Sequence, residues 1–214
     1  MAKGTLNYTA SLGTHCYSAW LLDRFGARKY AGPFDWLFSD LGMIAHCIED
    51  NFRLFLDPTK YVILDEHGHC GHSFYGPRFD RSVIFNHHDM MQAKDYSHFV
   101  RAVERFRRLL SSKGAKIFLC VSVPSRATDE RIRALSNAIS ARTTDAQILI
   151  VSVQSNTASR TKMADSRRIG IAKIFDFWAT SDMMNGLSFR SDADNRAIAC
   201  LFDPFQFDIR DPLV

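Results

Sequence analysis

A chain of 214 residues with 46% hydrophobic side chains and 17 phenylalanines can bury a large core, which excludes intrinsic disorder. Its net charge of +4 is spread along the chain without a stripe of Lys and Arg, which excludes a nucleic-acid-binding face. No apolar run is long enough to span a bilayer, and residues 1–5 lead into the first strand without an apolar leader core. The five cysteines, Cys16, Cys47, Cys70, Cys120 and Cys200, are scattered and odd in number. They read as reduced thiols, and the expected location is the cytoplasm.

In chain order, residues 5–10 read as a short strand and residues 17–25 as an amphipathic helix. After Pro33-Phe34-Asp35-Trp36, apolar residues recur at helical spacing from Leu37 to Phe55, and Asp57-Pro58 stops them. Residues 61–86 are rich in Gly, His and aromatics, with short strands at 61–64 and 82–85. A helix over 96–112 turns Phe99, Val103, Phe106 and Leu110 inward and Arg101, Arg105 and Arg108 to solvent.

After Lys113-Gly114, the runs 116–123 and 146–153 are continuously apolar, as strands buried on both faces must be. A polar helix over 128–142 separates them. A third strand over 169–177 and a helix over 192–202 complete the chain. This alternation predicts an α/β fold in one domain, residues 1–214, with a mostly parallel sheet flanked by helices. Residues 1–112 form the half bearing Cys16 and the histidines, and residues 113–214 the parallel α/β half.

The chemical interest centres on Ser11-Leu12-Gly13-Thr14-His15-Cys16, which puts a thiol where a strand turns into a helix. Unpaired amides and the positive end of the helix dipole favour thiolate there, although a buried packing role is also open to any Cys. A thiolate nucleophile needs a histidine and a group to orient it. His87 and His88 follow an apolar strand, and alternation along a strand lets only one of them face Cys16. His72 is a third candidate base, and Asp35, Asn86, Asp89 and Asp176 are candidate orienting groups. Ser11 is a weak alternative nucleophile, because no Gly-x-Ser-x-Gly accompanies it.

Two further groups of polar residues attract a chemical reading. His67, His69, Cys70 and His72 lie close enough in sequence to converge on zinc, but one cluster without a second knuckle reads better as a Gly-rich loop. Asp192 and Asp194 read as helix caps. Phosphate- and dinucleotide-binding glycine motifs are missing, so no cofactor is expected.

Three blocks carry a family resemblance. They are Ser11-Leu12-Gly13 with Cys16 and Ala19; Pro33-Phe34-Asp35-Trp36-Leu37 with Ile44, Cys47, Ile48 and Phe52; and Phe85, His88 and Asp89 followed by Arg101, Arg105 and Phe106. Through them the chain resembles a bacterial domain-of-unknown-function family described as papain-like cysteine peptidases. Met90 and Ala102 depart from its pattern. The resemblance implies Cys16 as nucleophile and His88 as base; Asp35 or Asp89 is the group expected to orient the imidazole. It does not account for the parallel second half, since papain's right half is an antiparallel barrel. Ser11, Gly13, His15, Trp36 and His87 are the residues expected around the substrate. The expected activity is cysteine-dependent hydrolysis of a peptide through a thioacyl intermediate. Acyl transfer to or from a glycan or small metabolite, and binding without chemistry, are the alternatives.

Overall fold

Asn7 divides the first predicted strand in two. In the computed structural model, which describes residues 3–66, 69–155 and 158–213, β1 (Gly4–Leu6) pairs with the C-terminal β11 (Phe205–Phe207), and β2 (Tyr8–Ser11) enters the main sheet. The Asn7 side chain satisfies the break, donating to Asp208 at 3.2 Å and accepting from the Ala115 amide at 3.2 Å.

The main sheet has five strands in the order β2-β5-β6-β8-β7. β5 (Lys116–Ser122), β6 (Ala146–Val153) and β8 (Ala172–Trp178) run parallel to β2, and β7 (Lys162–Ile169) is an antiparallel edge. The fold is therefore α/β with a mostly parallel sheet. β7 escaped the sequence reading because its residues are largely charged and exposed, as befits an edge strand bulged between Asp165 and Arg167. The third strand accordingly begins at Ala172, after a turn in which Gly170 takes φ +57°.

Between β2 and β5 the chain makes α1 (Tyr17–Arg24), α2 (Leu41–Glu49), the hairpin of β3 (Tyr61–Ile63) and β4 (Cys70–His72), the short α3 (Tyr75–Phe79) and α4 (Ala93–Ser111). α2 is shorter than its apolar spacing predicts. It cannot begin before Leu41, because Asp40 caps it through the Gly42 amide, and Asn51 and Phe52 take positive φ beyond its end. The predicted strand over 82–85 is reduced to one bridge between Cys70 and Phe85. Rings of Phe34, Phe52, Phe55, Phe85, Phe99 and Phe106 meet edge to face or tilted, and Phe106 meets Phe118 of β5 at 5.9 Å. This aromatic cluster fastens the segment preceding β5 to the sheet.

In the second half, α5 (Asp129–Ser140), capped by Thr128, connects β5 to β6 and packs on α2. β9 (Met183–Met184) and β10 (Ser188–Phe189) form a small hairpin before α6 (Asp192–Ala199), whose end continues as a single 3-10 turn over Cys200–Phe202.

Candidate active site

The parallel strands end at Ser11, Ser122, Val153 and Trp178, and the loops beyond them form one edge of the sheet. Crevices at the carboxyl ends of parallel strands are where α/β proteins place ligands. The Cys16 loop lies on this edge. β5 outruns β2, and its overhang receives the loop: Thr14 donates to Val121 O and Ser122 Oγ, both at 3.3 Å, and Ser18 Oγ accepts from the Val121 amide at 2.9 Å. Ser11 Oγ accepts from Gly13 N at 3.2 Å, and Ser39 Oγ donates to Gly13 O. A Cβ on Gly13 would collide with the His15 carbonyl oxygen, so the turn needs glycine. Ser11, 1% exposed, serves the turn through its bond from Gly13 N, and among the described residues no histidine is hydrogen-bonded to it.

Cys16 stands at the N-cap of α1, as its sequence setting predicts. The first helical bond runs from Trp20 N to Cys16 O at 3.1 Å. Among the described residues, the amides of Tyr17, Ser18 and Ala19 make no bond to a preceding carbonyl. Its thiol is not poised as thiolate: Cys16 is 4% exposed, and burial pushes the thiol up against the opposing pull of its own amide.

The histidine that reaches Cys16 is His87, whose Nε2 lies 3.9 Å from Sγ. The Asn86 side-chain amide lies 3.2 Å from the same nitrogen. An amide N–H donated to Nε2 leaves the proton on Nδ1 and occupies the one lone pair of Nε2, so this contact must open before Nε2 can take a proton from Cys16. His88, expected at this place from the resemblance, faces the other way. Its Nδ1 lies 3.4 Å from Asp95, and its ring stacks on His98 at 5.4 Å and meets Phe99 edge-on. One residue of register separates the two histidines, and α4 claims the second.

The acids expected to orient the base are committed elsewhere. Asp89 accepts from Met91 N at 2.9 Å and Gln92 Nε2 at 3.1 Å, closing the turn into α4. Asp176 accepts from Gln154 at 3.2 Å. Asp35 accepts from Gly32 N at 2.9 Å and pairs with Arg28 at 3.1 Å, folding the Pro33–Trp36 turn against β2. In that turn Trp36 adopts φ +60°, uncommon for a bulky side chain, and is half-buried. Among the described residues, no acid contacts His87.

Asp35 nevertheless has a measurable signature. Burial raises its carboxyl to about 6 from an ordinary 3.8, with Arg28 and the Gly32 amide opposing. Between those values the folded state binds more protons than the unfolded, so this group's contribution falls as pH rises through the interval. Asp35→Asn stays neutral throughout. Urea unfolding should show wild type losing ~3 kcal/mol relative to this variant from pH 3 to pH 7. A pH-independent difference would contradict the assignment.

The histidine-rich hairpin is architectural where it is described. His72 is 2% exposed, donates from Nε2 to Leu54 O at 2.9 Å, and accepts at Nδ1 from Phe74 N and Tyr75 N at 3.3 Å. Both ring nitrogens are used, which removes it as the base. His69 pairs with Asp65, and Cys70 is buried with its thiol pushed up by burial. His67 lies outside the described residues. Among those described, no three His, Cys, Asp or Glu side chains are grouped to hold a metal ion.

One cavity borders the loop, and another lies against the β3–β4 hairpin. A crevice of about 280 Å³ over the sheet edge is lined by His15, Ser122, Gln154, Ser181 and Phe189 among others. A cleft of about 430 Å³ against the β3–β4 hairpin is lined by Val62, Leu64, Pro77 and Arg81 among others. His15 lines the first of them. Its Nδ1 is buried with no partner among the described residues, and burial, with the charge of Arg81 as a lesser cause, lowers its pKa against the opposing pull of its own backbone. Arg81, Gln154 and Ser122 went unnoticed in the sequence, where isolated polar residues in loops carry no spacing signal.

These features describe an α/β protein with a thiol–imidazole contact at the carboxyl edge of a parallel sheet. The family model described as "Putative papain-like cysteine peptidase (DUF1796)" matches residues 7–156, and the chain belongs to that family. No curated protein and no solved structure matches it. The matched span covers the Cys16 loop, His87 and β5 through β6.

Proposed function

We propose that the protein is a cysteine-dependent acyl hydrolase acting on a peptide, with Cys16 as nucleophile and His87 as general base. The 3.9 Å approach of Cys16 Sγ to His87 Nε2 is the observation that carries this reading. His87 takes the thiol proton as sulfur attacks the carbonyl carbon, and the free amides of α1 receive the developing oxyanion. His87 then returns the proton to the leaving amine, and water, deprotonated by the same imidazole, cleaves the thioester. Because burial holds the resting thiol protonated, proton transfer accompanies attack and no standing ion pair is required.

Acylation by p-nitrophenyl acetate tests this. The expected result is one equivalent of nitrophenolate released in a burst, with the acetyl group on Cys16, and no burst from Cys16→Ala. The thiolate should titrate above the ordinary thiol pKa, so iodoacetamide labelling of Cys16 should climb with pH past 8.5 without a plateau at pH 6 to 7. A burst that survives Cys16→Ala would sink the reading. The burial of Cys16 favours one second reading, ligand binding in the crevice without chemistry, under which no acyl-enzyme forms.

A further inference from the structure

Residues on both sides of Cys16 in the chain are seated on the crevice over the sheet edge. Thr14 donates to Ser122 Oγ at 3.3 Å, His15 lines the crevice itself, and the Tyr17 ring meets Phe189 edge-on at 5.3 Å. The crevice, of about 280 Å³, has room for one long side chain, and Val123, Val153, Met183 and Phe189 give it apolar walls. Its spare polar capacity is that of acceptors. Gln154 spends its amide N–H groups on Ser152 O at 3.1 Å and Asp176 at 3.2 Å, which fixes the amide's orientation and leaves its oxygen. Ser181 Oγ is used in both directions, donating to Asp194 and accepting from Ser191 N, each at 2.8 Å. Asp182 comes next, exposed to solvent. Its carbonyl accepts from Arg190 N at 3.0 Å, which holds the backbone, and among the described residues its carboxylate enters no hydrogen bond or ion pair. Among the described residues, no Lys or Arg lines the crevice.

We infer that this crevice is the specificity pocket for a basic residue of the peptide, so that the enzyme cleaves after Lys or Arg. A long cationic side chain lays its methylene stem along apolar walls and keeps its charged head toward solvent. Here the head is met by the Asp182 carboxylate, with the Gln154 oxygen as a second acceptor on the same cavity, and no like charge opposes it. An acidic side chain would face the same acceptors and be rejected. This inference rests on Cys16 as the nucleophile, and the two can fail separately.

The p-nitrophenyl esters of 6-aminohexanoate and heptanoate differ only in an ammonium for a methyl group, and the first carries the lysine side chain on the reacting carbonyl. Their acylation rates at Cys16, read as nitrophenolate bursts and divided by their rates with N-acetylcysteine, give a cation preference corrected for ester reactivity. Wild type should prefer the cationic ester by about tenfold, as one charge-assisted contact gives. Asp182→Asn should bring the preference close to one. Both esters meet the same thiol, so the ratio cancels any change the substitution makes in Cys16 itself. A wild-type ratio near one, or a ratio indifferent to Asp182→Asn, would overturn the inference and leave Cys16 standing. Titration with n-butylammonium, the lysine head without an ester, tests the pocket apart from the thiol. It should shift the labelled methyl resonance of Met183 in wild type and in Cys16→Ala, and lose most of that shift in Asp182→Asn. Bursts missing from both esters would overturn the nucleophile, and the Met183 shift would then decide the cation site: its absence overturns that too.

Discussion

His87→Ala is expected to slow the acylation of Cys16 by p-nitrophenyl acetate about 10²- to 10⁴-fold, the range a positioned general base contributes. His88→Ala should change it by no more than about threefold, since that ring is held by Asp95 and His98 away from the thiol. The contrast is sharp because the two residues are adjacent and only His87 reaches the thiol. The loss in His87→Ala should shrink as pH rises, because hydroxide progressively makes the thiolate that the imidazole otherwise generates. Stopped-flow release of nitrophenolate from pH 6 to pH 10 measures both effects. A large loss in His88→Ala with His87→Ala intact would restore the assignment implied by family resemblance.

The order of a Cys before a His in the chain is what the resemblance to papain-type enzymes rests on, yet the scaffold differs, and His87 sits in a turn and not at a strand end. Here Cys16, the proposed nucleophile, follows the first parallel strand of an α/β sheet, and His87, the proposed base, comes from the loop between α3 and α4, in the long segment before β5. The pair lies at one sheet edge, near the crevice over β5 and β6 that His15 lines. A Cys-His contact in this frame is compatible with several acyl substrates.

How much was legible in advance depended on the physical source of each signal. The buried strands β5 and β6 were visible as apolar runs because both their faces are covered, and α4 because its inward phenylalanines repeat at helical spacing. β7 was not visible, because an exposed edge strand needs no apolar residues. The glycine before Cys16 and the onset of α1 were readable locally. The choice between His87 and His88 was not, because it turns on Asp95 and His98, which meet His88 only in the folded chain. Asp35 looked catalytic for the same reason that it is buried: a carboxylate inside an apolar block must have a partner, and its partner is Arg28.

Asp194 shows the same point with the largest consequence for stability. Its position suggested a helix cap, whereas its carboxylate, 0% exposed, accepts hydrogen bonds from Thr161 Oγ1, from Thr180 N and Oγ1 and from Ser181 N and Oγ. The next residue, Asn195, accepts from the hydroxyl of Tyr17 and the amide of Phe189, both at 3.0 Å. One turn of α6 thus anchors the loop bordering the crevice and the first residue of the Cys16 helix. Asp194→Ala strands two amides and three hydroxyls at once and should cost about 3 to 5 kcal/mol, against about 1 to 2 for Asp194→Asn, which keeps one acceptor. Burial raises this carboxyl, but the hydrogen bonds together outweigh it and hold its pKa below the ordinary 3.8. A depressed folded pKa supplies stability above the unfolded value and loses it as pH falls through the folded one. Wild type should therefore shed part of its advantage over Asp194→Asn between pH 5 and pH 2. Urea denaturation of the three proteins across that range decides it, and a loss below 1 kcal/mol in Asp194→Ala at pH 7 would show that the loop is held by other contacts.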